Sequence, residues 1–168
     1  MPRGNENLNG QPRFLWRTCS ERLVPAGNAK YAGDRKRSLD LATLLPMLPR
    51  GPRYWCLQKE ISAADAEVLR DDPRIERFEQ NAFPETAAQA LAMDVVLSVD
   101  TSIAQLACAL GCRTWILLAA PADFRWLVGR EDSPWNPTAR LFRQPAPGQW
   151  RPVLERVQVG LQSLASSS

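Results

Sequence analysis

The stretch Val95–Gly111, VVLSVDTSIAQLACALG, is the most informative in the chain. Val95 to Val99 is apolar at every position but Ser98, the pattern of a strand buried on both faces. Asp100, Thr101 and Ser102 interrupt it. Thr101 to Leu110 then reads as a helix, with Gly111 in the position of a C′ glycine. Thr114–Leu118, TWILL, supplies a further buried strand. Strands alternating with helices imply a parallel sheet covered on both faces, hence an α/β, Rossmann-like three-layer domain. In such folds ligands bind beyond the carboxyl ends of the strands, where the Asp-Thr-Ser triplet stands.

Working outward, Pro84 to Met93 reads as a helix with proline near its first turn. Upstream, the expected elements are a strand over Arg53–Gln58, a helix over Ser62–Asp71 capped by Ser62, and a short strand over Arg74–Phe78. Asp40 to Leu48 is expected as a short helix capped by Ser38 or Asp40 and kinked or ended by Pro46. Phe14 to Val24 supplies a first strand, and PAGNAKYAGDRKRS (25–38) is a loop with a basic end. Downstream, residues 122–137 are aromatic and turn-rich, with Asp132-Ser133-Pro134 as a turn. Arg140–Phe142 reads as an edge strand. Gly148 to Leu164 carries Val153, Leu154, Val157, Leu161 and Leu164 at near-helical spacing. The domain boundaries expected are a poorly ordered or irregular segment over 1–24, a domain over 25–164 and a tail over 165–168.

Composition narrows the function. The 168 residues fit one domain with one core. No apolar run approaches the roughly 20 residues that span a bilayer, and the polar N-terminus is no secretory signal, so a cytoplasmic location is expected. Histidine is absent, which removes the commonest general base and zinc ligand. The four cysteines form no C-x-x-C pair and read as free thiols, so no metal site is expected. The net charge of +3 is uneven, with its positive excess in the first third, around Lys30, Arg35, Lys36 and Arg37. That pattern suits a local anion site rather than a nucleic-acid footprint.

Two readings of the triplet stand side by side. Asp100 is a helix N-cap, accepting from the amide of Ser102 or Ile103 for about 1 kcal/mol. Alternatively, the first-turn amides cradle an anion, helped by a helix dipole contributing roughly 0.3–2 kcal/mol. A diphosphate would also need cationic side chains, for which Lys30, Arg35 and Arg37 are the candidates. Gln105 shares a helix face with Thr101 and offers a neutral amide. Phe124, Arg125 and two tryptophans after the last buried strand form either core packing or a subunit contact, or else a wall for a base or sugar with Arg125 on phosphate.

Laid end to end, PAGNAKYAGDRKRSL, LQKE, FPETAAQALAMDVVLSVDTSIAQLACALG and TWILLAAPADFRWLVGREDSPWNPTARLFRQP resemble the C-terminal lobe of heptosyltransferase-like (family 9 type) bacterial glycosyltransferases, a lobe often found fused to tetratricopeptide repeats. The resemblance implies one lobe of a GT-B fold that binds a nucleoside diphosphate sugar for inverting, metal-independent transfer, with no cofactor. It aligns Asp100, Thr101 and Ser102 with the family's diphosphate turn, and Asn28, Lys30, Arg35 and Arg37 with its basic loop. Gln105, Asp123 and Arg125 complete the expected site; Gln105 stands where relatives carry His. Pro25 stands where relatives carry Trp, so the first strand is expected to be an edge or irregular strand. The acceptor site and catalytic base belong to an N-terminal lobe that does not fit before residue 25. A completing lobe or a second chain, including a homodimer, is therefore an expected partner. The alternative is a diverged, non-catalytic binding domain or an inactive remnant.

Overall fold

The computed structural model describes residues 13–17, 39, 41–57, 63–77 and 83–166. Its six strands are β1 (Arg13–Arg17), β2 (Arg53–Cys56), β3 (Ile75–Arg77), β4 (Val95–Val99), β5 (Thr114–Leu118) and β6 (Ala139–Arg143). They form one sheet in the order β3-β2-β1-β4-β5-β6, with every neighbouring pair parallel. Between them run α1 (Leu41–Leu44, continued by a 3-10 turn over Leu45–Met47), α2 (Ala63–Asp71), α3 (Phe83–Leu91) and α4 (Ser102–Ala109). A 3-10 turn over Phe124–Trp126 lies between β5 and β6, and α5 (Arg151–Ser166) closes the described chain.

Period-two alternation divides the strand residues between two cores. Val95, Leu97, Val99, Trp115, Leu117 and Phe142 face α1, α2 and α5, meeting Leu41, Leu44, Leu69, Val153, Leu154 and Leu161. Val96 faces Ala90 of α3 and Ile103 and Ala107 of α4. Ile116, Leu118 and Leu141 meet Ala104 and Cys108 of α4 and Trp126. The result is the Rossmann-like three-layer α/β domain that the apolar runs implied. β4 and β5 are buried at all five positions, including Ser98 and Thr114, whose hydroxyls bond to main-chain carbonyls.

The first strand differs from expectation. It spans Arg13–Arg17 rather than Phe14–Val24, and it lies in the middle of the sheet between β2 and β4 rather than at an edge. Pro25, the reason for expecting an edge, lies outside the described residues and beyond the ladder. The segment 1–24 thus contributes a central strand, and the domain includes residues 13–17 as well as those after 25. The helix expected over Asp40–Leu48 is one α turn followed by the 3-10 turn, because Pro46 cannot donate to a continuing helix. Its expected caps, Ser38 and Asp40, lie outside the described residues, as does Ser62. β6 is an edge strand as read.

Gly111 closes α4 at φ +74°. Its amide bonds to the Cys108 carbonyl at 3.0 Å and the Cys112 amide to the Ala107 carbonyl at 2.9 Å, the two bonds of a Schellman motif. Gly160 has a different reason. A Cβ there would lie 2.6 Å from the tip of the Trp115 indole. Trp115 is buried and its ring centroid sits 5.1 Å from that of Phe142, so it has little room to yield. Gly160→Ala should therefore lose about 1–2 kcal/mol, overpacking outweighing a helix-propensity gain of about 1 kcal/mol. A lowered urea midpoint is the expected result; a raised midpoint would show that Trp115 gives way freely.

Candidate functional site

The strand order reverses between β1 and β4. From β1 the sheet continues outward through β2 and β3; from β4 it continues the other way through β5 and β6. Arg17 pairs in register with Ser98, so both strands reach the same carboxyl edge together. The helices that follow such strands diverge and leave a crevice between them, the usual ligand position in open α/β sheets. Asp100, Thr101 and Ser102 stand at this reversal, where β4 ends and α4 begins.

The N-cap is Thr101, not Asp100. Its backbone is extended, and its hydroxyl accepts from the Ala104 amide at 3.4 Å. The Thr101 hydroxyl also lies 2.9 Å from that of buried Ser98. Ser98 donates its only proton to the Val99 carbonyl at 2.8 Å, so Thr101 must donate to Ser98. The Thr101 hydroxyl proton is thereby committed inside the fold. What remains for a ligand is the Ser102 hydroxyl, on an exposed residue, and the amides of Ser102 and Ile103, which helix geometry leaves without intrahelical acceptors.

Because Thr101 caps, the Asp100 carboxylate is released for another contact. Arg125 approaches it at 3.3 Å and bonds Asp123 at 2.9 Å through Nε. Asp123 in turn caps the 3-10 turn by accepting from the Arg125 amide at 3.0 Å. The Arg125 side chain is half-exposed, so these pairs contribute about 0–1 kcal/mol each and exchange readily for a stronger anion. Beside Arg125 opens a cavity of about 270 Å³, walled by Gln105, Phe124, Trp126, Trp135 and Asn136.

The segment after β5 is clamped from below. Arg143 donates through Nε to the Arg130 carbonyl at 2.9 Å and through Nη2 to the Trp126 carbonyl. Burial holds the Arg143 guanidinium somewhat below its ordinary pKa. Gln144 accepts from the amides of Ala120 at 3.1 Å and Gly148 at 3.2 Å, joining the turns that follow β5 and β6. The Leu141 amide bonds to the Glu131 carbonyl at 2.7 Å, and Arg130 pairs with Asp132 at 2.5 Å. REDSPW (130–135) and RLFRQ (140–144) therefore dock on each other. Leu127, in that wall, holds φ at +55°, a conformation costing a non-glycine residue about 1 kcal/mol or more.

A larger open concavity, about 1010 Å³, lies at the opposite edge, where β2 and β3 begin, among Leu45, Arg50, Asp72 and Arg74. Its best-placed charges neutralise each other: Arg74 grips Asp72 at 2.5 Å and donates to the Leu48 carbonyl at 3.1 Å. That hydrogen bond pulls the Asp72 carboxyl below the ordinary range. The reversal is the better-built site. Among the described residues no His, Cys, Asp and Glu cluster could hold a metal, and no helix is long and apolar enough to cross a membrane. Cys56, Cys108 and Cys112 are buried and form no disulfide among the described residues, and burial raises the thiol pKa of Cys108 and Cys112.

Of the residues expected at the site, the structure gathers Asp100, Thr101, Ser102, Gln105, Asp123 and Arg125 at one edge. Asn28, Lys30, Arg35 and Arg37 lie outside the described residues. Trp135, Asn136, Arg143 and Gln144 were not singled out individually; the aromatic cluster after TWILL was the signal for the first, while the others depend on pairings across the fold.

The fold and edge define a Rossmann-like domain with an anion-compatible helix terminus at its sheet reversal. No family model matches the chain, and no solved structure matches it. It is 29% identical over 184 residues to protein FlbA of Caulobacter vibrioides (strain ATCC 19089 / CIP 103742 / CB 15). The match covers 99% of this chain and 30% of FlbA, so the chain spans less than a third of that relative's length.

The two roles at this edge separate in stability measurements. Thr101→Ala should lose about 1–2 kcal/mol, and Thr101→Ser should recover most of it. Arg125→Ala should change stability by less than about 1 kcal/mol. Urea denaturation of the three variants checks this; equal losses in Thr101→Ala and Arg125→Ala would contradict the assignment.

Proposed function

We propose that this domain is the donor-binding lobe of a GT-B glycosyltransferase. It binds a nucleoside diphosphate sugar for inverting, metal-independent transfer when an N-terminal lobe completes the cleft. The observation that carries the reading is the coincidence of the sheet reversal with the free first-turn donors of α4, beside an arginine held only by exchangeable pairs. In this reading the diphosphate takes the amides of Ser102 and Ile103 and the Ser102 hydroxyl. Arg125 turns from Asp100 toward the phosphates, and Asp100 is left facing the sugar. The Thr101 hydroxyl holds the turn in shape, and Gln105 contributes an amide one turn into α4.

Asn28, Lys30, Arg35 and Arg37 are the proposed neutralising loop. β1 supports this, since its carboxyl end at Arg17 lies beside Ser98 and the loop follows it in sequence. The dipole of α4 contributes at most about 2 kcal/mol, so these cations carry much of the affinity. A cytoplasmic setting agrees with core cysteines that form no disulfide among the described residues. The FlbA match is in keeping with a domain that works as one portion of a longer architecture.

A second reading, binding without catalysis, is favoured by the chemistry of the edge. Asp100 and Asp123 both pair with Arg125, and the chain has no histidine to act as a base.

Calorimetric titration with UDP, ADP, GDP and their sugars tests the proposal. One nucleotide should bind, with Arg125→Ala weakening it about tenfold, in line with loss of one charge-assisted bond. Asp100→Asn should tighten inorganic pyrophosphate by removing a repelling carboxylate. Absence of nucleotide binding by the intact protein would rule out the donor-site reading.

A further inference from the structure

We propose that the outer face of α3 and α4 is a self-association surface, on which two copies of this chain pair about a two-fold axis. The pairing is independent of the donor-site reading, since it uses the outside of a helix layer and leaves the carboxyl edge of the sheet open. α3 and α4 lie side by side over Val96, with Ala90, Ile103 and Ala107 turned inward. Phe83, Ala87 and Leu91 recur every four residues and share one flank of α3. The right-handed crossover from β3 to β4, with Thr86 and Ala90 against the sheet, turns that flank toward α4. Leu106 and Leu110 are likewise four apart on α4, and Leu110 packs against the cluster that holds Ala90, so this pair lies on the α3 side. Phe83 is 64% exposed and Leu91 60%, Ala109 is exposed, and Leu106 and Leu110 are half-buried. Large apolar side chains grouped on one open face mark a surface for a partner.

The charge pattern selects a second copy as that partner. α4 holds no charged residue, and α3 holds only Glu85, about 160° around the helix from Ala87. The other long helices differ: α2 carries Asp65, Glu67, Arg70 and Asp71, and α5 carries Arg151, Glu155 and Arg156. A two-fold axis sets a surface against itself, so charges on it meet their own kind. An uncharged apolar strip meets itself without that repulsion. A different chain chosen by electrostatic complementarity would need charged anchors, which this strip lacks. Two helix pairs facing each other also pack as helices do in a four-helix bundle. The nine residues of α3 make the strip only about 14 Å long. Its area falls short of the roughly 800 Å² per partner of a standard interface, so the dimer forms and dissociates with concentration.

Sedimentation velocity of the intact protein, from low micromolar to near-millimolar concentration, tests the pairing. The unaltered chain should pass from monomer to dimer across that range. Leu91→Glu/Ala109→Glu and Leu91→Lys/Ala109→Lys should each weaken the dimer by about tenfold or more, because like charges then face each other. An equimolar mixture of the two variants should regain it, because opposite charges then meet. Both positions are exposed, and Glu and Lys suit helices, so the variants keep the fold, which circular dichroism verifies. Val159→Glu, at an exposed position on α5, should leave the dimer unchanged. An unaltered chain that stays monomeric throughout overturns the proposal and leaves the strip to a different chain. A dimer untouched by both double variants, or broken by Val159→Glu alone, lies on another surface and overturns it as well. Loss in both variants without recovery on mixing overturns the two-fold arrangement.

Discussion

The structure turns on one pairing, β1 against β4. Both strands run parallel, in a register that brings Arg17 level with Ser98, and from them the sheet grows in opposite directions. In open α/β sheets such a reversal leaves a crevice beyond the carboxyl ends of the two strands. The α4 N-terminus is left at the lip of a crevice, with amides that helix geometry cannot satisfy from within. Every later feature of the edge is a response to that position. Thr101 caps the helix through a proton chain ending inside β4, Arg125 crosses from the next loop to Asp100, and Arg143 fixes the loop from beneath.

The order of these contacts explains why the edge is both well shaped and loosely held. Its foundations are buried. Ser98 has no exposure, Trp126 is almost fully buried, and Arg143 and Gln144 bind main-chain groups on three turns. Its upper layer is half-exposed and consists of the Arg125 pairs and the aromatic rings of Phe124 and Trp135. A preorganised base with exchangeable surface partners lets a ligand gain contacts without reorganising the core.

Much of this was legible in the sequence. VVLSV and TWILL marked β4 and β5 to the residue, because strands buried on both faces leave continuous apolar runs. Gly111 marks the end of α4, since the C′ position of a helix calls for a left-handed backbone. The first strand is weakly marked because RFLWR is short and bounded by arginines, and its central place depends on partners about 40 and 80 residues away. Local sequence offers Asp100, Thr101 and Ser102 equal claims to the cap. Thr101 caps because Ser98 lies beneath it and Arg125, 25 residues beyond Asp100, engages the Asp100 carboxylate. The segments 130–135 and 140–144 are largely mutual partners, a pairing that spacing along the chain does not reveal.

The central claim is that the reversal makes the first turn of α4 the anion-binding point of this protein. Amide chemical-shift mapping of isotopically labelled protein during a pyrophosphate titration tests it most directly. The account predicts that Ser102 and Ile103 shift first and furthest, with the Arg125 side-chain Nε, which is bonded to Asp123, following as the arginine turns from its carboxylates. Largest shifts at the opposite edge, around Arg50 and Arg74, or an unmoved α4 N-terminus at saturating pyrophosphate, would contradict it.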